Sequence, residues 1–140
     1  MFWERQKLRS AEEVARNIQR RHCARQITRQ ILDLDTGMDI ERITLFGSVS
    51  KNRGKAGSDV DLGIIVSGRL SESQEDDLEN LFHDHVWNYA LENIPTTHLP
   101  LHLKVLSRYR YDFYLSINSS AVLSIENGIV LWNKVDCKVS

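Results

Sequence analysis

Apolar positions along this chain recur at two periods, one helical and one of alternating strand type. Val14, Ile18, Ile27, Ile31 and Leu34 fall mostly at helical spacing with arginines on the opposite side, which predicts an amphipathic helix. Ser10 followed by Glu13 fits a capping box that would open this helix; it runs to about Leu32, with Gly37 as its stop. Ile40 to Phe46 reads as a strand broken by Gly47, and residues 47–58 as a turn, a short helical piece and a loop. Asp59 to Val66 reads as a second strand, ended by Ser67-Gly68. Ser71 and Gln74 would cap a second long helix whose Leu78, Leu81, Phe82, His85, Val86 and Tyr89 form an apolar stripe.

Leu99 to Leu106 sets Leu101, Leu103 and Val105 against His102, Lys104 and Leu106, the pattern of a half-buried strand. An aromatic helix follows from about Tyr109 to Ile125. Glu126-Asn127-Gly128 then turns into Ile129 to Trp132, a last strand or an extended tail. The order is α, β, β, α, β, α with a tail, which predicts an α+β domain: a mixed sheet flanked by helices. One domain over residues 1–140 is expected, with an N-terminal helix at about 10–35 and a core at about 40–132.

Composition adds little to this picture. With 41% hydrophobic and 26% charged residues and a net charge of −1, no global argument for nucleic-acid or membrane binding arises. The charges are nevertheless segregated. Arg16, Arg20, Arg21, Arg25 and Arg29 crowd the first third of the chain, whereas the stretch between Arg69 and Lys104 holds no Lys or Arg and carries Glu72, Glu75, Asp76, Asp77, Glu79, Asp84 and Glu92. Solvated helix faces explain both, with a docking surface as the sharper alternative. Cys23 and Cys137 lack C-x-x-C spacing, and no run is long enough to span a membrane, so a reduced cytoplasmic protein is expected.

The chemistry concentrates in Gly47-Ser48 and Ser58-Asp59-Val60-Asp61-Leu62. Strand side chains alternate, so Asp59 and Asp61 share one face while Val60 and Leu62 point into the core. Two carboxylates held that close need a cation between them. Gly47 permits a tight turn and close approach to a phosphate, and Ser48 stands where a following helix would begin. Lys51, Arg53 and Lys55 read as ordinary loop charges with a secondary claim on phosphate. His83-Asp84-His85 and the set His22, His98 and His102 lack metal-ligand spacing. Tyr109, Tyr111, Phe113 and Tyr114 are best spent packing the last helix on the sheet.

Phe46-Gly47-Ser48 with Gly57-Ser58-Asp59-Val60-Asp61-Leu62 resembles the signature of the DNA polymerase β-like nucleotidyltransferases, especially the small bacterial minimal nucleotidyltransferases. Ile125 to Trp132 is similar to their usual ending, so the resemblance covers about residues 40–132. It implies Mg²⁺ (or Mn²⁺) on Asp59 and Asp61 as catalytic metal ligands, ATP as substrate, and Gly47, Ser48 and Ser58 as nucleotide-binding residues. It further implies transfer of AMP to a protein hydroxyl, with a helical HEPN-type toxin as the partner of an antitoxin-like chain, or a homo-oligomer.

The chain departs from that family at one point. A third carboxylate is expected on the later strand, where this sequence offers His102 and Lys104, with Asp112 just beyond. A degenerate nucleotidyltransferase serving as a binding or regulatory module is therefore the alternative. Small-molecule modification, such as aminoglycoside nucleotidylation, ranks below both because the chain lacks length for a further substrate-binding domain.

Overall fold

The computed structural model describes residues 2–50, 60–94 and 101–135, with residues 2–10 and Ser48 described by backbone alone. The elements run α1 (Phe2–Asp33), β1 (Ile40–Phe46), α2 (Gly47–Ser50), β2 (Val60–Val66), α3 (Glu72–Asn93), β3 (Leu101–Ser107), α4 (Arg108–Ser116), α5 (Ser120–Glu126) and β4 (Ile129–Asn133). The strands form one sheet in the order β3-β2-β1-β4. β1 runs antiparallel to both β2 and β4, while β2 and β3 are parallel and joined across α3. This is the expected α+β architecture with a mixed sheet, and the last segment is a true strand rather than a tail. No helix among the described residues is long and apolar enough to cross a membrane.

Alternation divides the sheet into two faces. Ile43, Leu45, Val60, Leu62, Ile64, Leu103 and Val105 point to one side, where they meet Ile27 and Ile31 of α1 and Phe82 and Val86 of α3. On the other side a smaller cluster forms from Ile65, Leu106, Tyr111, Val122 and Ile125 under α4 and α5. Gly63 makes that second contact possible, since a Cβ there would sit 2.9 Å from Ile125 Cγ2.

The α3 cap is as expected: Ser71 Oγ accepts from Gln74 N at 3.2 Å and Gln74 Oε1 accepts from Ser71 N at 2.9 Å. Further along, α3 closes the outer edge of β3, because Glu79 accepts the Val105 N–H and Glu75 the Ser107 N–H, each at 2.8 Å. Glu75 is itself buried and ion-pairs with Arg110 at 2.8 Å, in charge contact rather than a linear hydrogen bond.

Four expectations need correction. α1 begins at Phe2, so Ser10 is an interior residue and not a cap; nothing between Glu4 and Arg9 breaks a helix. Its inward face carries Asn17, Arg20, Cys23, Ala24, Ile27 and Ile31, while Val14 and Ile18 are exposed. On α3, Leu81 and His85 also face outward. Finally, the aromatic helix is two helices: Asn118 adopts φ 56°, a left-handed turn that Asn tolerates, and redirects the chain between α4 and α5.

Candidate active site

Strand register builds the site. Phe46 at the end of β1 lies opposite Asp61 on β2, and Asp61 lies beside His102 on β3, so all three project from the second face of the sheet. Asp61 Oδ1 and His102 Nδ1 are 3.2 Å apart. The Phe46 ring stands edge-on to the imidazole, with centroids 6.3 Å apart. The imidazole is 60% exposed and the Asp61 side chain 23%, so the pair opens to solvent at the end of the face that α4 and α5 leave bare. Ile65 and Leu106, farther along the same two strands, are sealed beneath those helices.

Gly47 sets the floor of the turn. Its φ of 77° lies in the left-handed region, and a Cβ at this position would collide with the Asp61 carboxylate. The glycine therefore lets the β1–α2 turn press against the acid. α2 is then pinned from both sides. Ser50 Oγ donates to Gly47 O at 2.6 Å, and the Arg21 guanidinium of α1 donates to Ser50 O at 2.9 Å and Val49 O at 3.4 Å. Nothing in the sequence separated Arg21 from the other arginines of that helix; its role emerges only when α1 and α2 are packed.

Lys104 lies on the same face as His102, in register with Gly63. Behind them is Glu79, whose carboxyl is pushed up by burial, against the opposing pull of the Val105 N–H and the charges of Lys104 and His102. Asp112 does not reach this cluster: α4 carries it to the solvent side, where it pairs with Arg108 at 3.3 Å. His83 stacks on Trp87 instead of ligating, with ring centroids 4.8 Å apart. Of the aromatic run, Tyr111 is buried under α5 as expected, whereas Tyr109 and Phe113 point outward.

Among the sequence-derived site residues, Gly47 and Asp61 are brought together. Asp59, Ser58, Lys51, Arg53 and Lys55 lie outside the described residues, as does the side chain of Ser48. Among the described residues no group of three acidic, histidine or cysteine side chains could hold a metal. Asp61 alone fits a hard cation as one carboxylate ligand. Mg²⁺ usually takes one or two carboxylates and completes its shell with substrate phosphate oxygens and water, so Asp61 with Asp59 would suffice. An imidazole such as that of His102 is a poorer Mg²⁺ donor than a carboxylate.

A protein-family model described as a nucleotidyltransferase domain matches residues 24–116. A crystal structure from Sulfolobus solfataricus, whose own assignment as a nucleotidyltransferase is inferred, superposes with a TM-score of 0.57 at 13% identity, covering 87% of each chain. No curated protein matches significantly. The structural likeness speaks for the fold; the family match spans most of the chain and includes the turn at Gly47, the Asp61 strand and the His102 strand. This chain belongs to the nucleotidyltransferase domain family.

Proposed function

We propose that this domain is an Mg²⁺-dependent nucleotidyltransferase that moves AMP from ATP onto a protein hydroxyl. The observation that carries the reading is the meeting of Asp61, the Gly47 turn and His102 on one open end of the sheet. In this scheme Gly47 and Ser48, with Ser58, hold the triphosphate, and Asp59 and Asp61 bind the metal. The acceptor oxygen attacks the α-phosphorus and the bond from that phosphorus to pyrophosphate breaks; a cation held by Asp59 and Asp61 would supply charge neutralisation for the departing pyrophosphate. His102, adjacent to Asp61, is placed to receive the acceptor proton in place of the family's third carboxylate. Catalysis then rests mostly on positioning and charge neutralisation.

The substitution of His102 for an acid also favours a second reading, in which the domain binds a protein partner without transferring anything. A HEPN-type helical protein is the partner that either reading would take, as an acceptor in the first and as a ligand in the second. Calorimetric titration with ATP, with and without Mg²⁺, separates them. The first reading expects Mg²⁺-dependent binding by the native chain that is lost in Asp61→Asn and Asp59→Asn, both folded. A native chain that binds no nucleotide would leave the binding module standing.

A further inference from the structure

We infer that the outer surface of α1 and α3 is a self-complementary docking face for a second copy of this chain. The two helices lie antiparallel on the closed side of the sheet. Gln19 Nε2 and Cys23 Sγ both donate to Asn93 O at the end of α3, at 3.4 and 3.3 Å. Met38, just past the end of α1, lines a cleft with Gln74 and Asp77 at the start of α3. Directly opposite the buried face of α1 runs an exposed row, Ile18, His22, Arg25 and Arg29, at spacings of four, three and four. Opposite the buried face of α3 runs a matching row, Asp77, Leu81, Asp84, Asn88 and Leu91, also exposed. One row is basic and the other acidic. None of Arg25, Arg29, Asp77 and Asp84 takes part in an ion pair among the described residues.

Geometry turns this segregation into a prediction of partner. A two-fold axis lying between the helices and parallel to them places α1 of one copy along α3 of the other. It preserves both the antiparallel sense and the axial register found inside the chain. In that register Arg29 falls beside Asp84, and Arg25 falls between Asn88 and Glu92. The same operation never brings the two arginine rows together, so like-charge repulsion selects this arrangement over α1 on α1. The charges supply orientation and encounter rate more than affinity. Affinity comes from the apolar members Ile18, Leu81 and Leu91, which are 63%, 48% and 53% exposed in the single chain. The dimer is therefore weak and salt-sensitive, and it leaves the Asp61 face, on the other side of the sheet, free.

Sedimentation equilibrium of the whole chain at low and high salt tests the inference independently of any nucleotide chemistry. The native chain is expected to dimerise at low salt and to dissociate as salt rises. Arg25→Glu/Arg29→Glu and Asp77→Lys/Asp84→Lys should each be monomeric alone. An equimolar mixture of the two should dimerise again, because each α1 then meets an α3 of opposite sign. The neutral variant Arg25→Gln/Arg29→Gln, with unchanged circular dichroism, should weaken the dimer without repulsion. A native chain that stays monomeric, a dimer indifferent to charge reversal, or a mixture that fails to pair would each overturn the proposal; the second would point to another face, and the first to a different protein as occupant.

Discussion

The two faces of the sheet are built to different standards. The α1/α3 face is covered by aliphatic side chains and Phe82, with Asn17, Arg20 and Thr28 of α1 and Glu75 of α3 also buried. Among the described residues the opposite face is covered at one end only. There α4 and α5 bring a polar network: Tyr111 donates to Glu126, Arg42 pairs with Glu126 at 3.2 Å, and the Arg42 guanidinium lies 5.1 Å from the Tyr111 ring centroid. At its other end the same strands leave Asp61 and His102 open. One face thus holds the fold and the other spends that stability on an incompletely covered site. A carboxylate can be reached from solvent only where packing stops short.

Mutations should respect this division. The largest effect is expected from Phe82→Ala on the closed face, a loss of about 3–5 kcal/mol in denaturant unfolding from lost burial and a cavity. Glu75→Gln should follow, costing about 2–3 kcal/mol, because Arg110 loses its buried counter-charge although it keeps some access to water. Gly47→Ala should leave unfolding far less changed while, on the proposed function, slowing nucleotidyl transfer by about 10²-fold, the scale of a misplacement at a reacting centre. If Gly47→Ala unfolded the chain as readily as Phe82→Ala, the contrast between the faces would be wrong.

The smallest effect is a pH dependence at the covered end. Burial, reinforced by hydrogen bonding to Glu126, raises the Tyr111 hydroxyl from its usual value of 10 to about 12. The unfolded chain gives up this proton first, so the stabilisation is complete below pH 10 and is lost as pH climbs through about 12. Glu126 shifts the other way, lowered chiefly by the Tyr111 hydrogen bond, and contributes stability that fades as pH falls through its depressed value. Stability measured against pH should show an alkaline decline in the native chain that is smaller in Tyr111→Phe, where Cys23 and Tyr89, both raised by burial, still contribute.

Local pattern made some of this legible and tertiary packing hid the rest. The β1 span from Ile40 to Phe46 and the Ser71 capping box match the sequence reading, because strand alternation and cap chemistry are decided within a few residues. Val14 and Ile18 misled: helical spacing marks a face as apolar but not which face is inward. Here Asn17 and Arg20 turn to the core, and the apolar pair is left outside. The Asn118 break was invisible because the residues around it carry no proline or glycine. At the site, Asp61 and Gly47 announced themselves through their spacing. The Arg21 grip on α2 and the Glu79 support behind β3 did not, since both are contacts between elements remote in sequence.

The carboxylates that α3 presents to β3 have a consequence for self-association through the backbone. A sheet grows into a fibre only if it offers unpaired strand edges at both ends. Here Glu75 and Glu79 occupy N–H groups along the β3 edge, leaving β4 as the other outer strand. Were a foreign β4 to add there, the joined sheet would be bounded on both sides by β3 strands whose Val105 and Ser107 N–H groups are already taken. Strand addition would end at a pair, so the two glutamates act as a terminator against amyloid-like polymerisation as well as a brace for the fold.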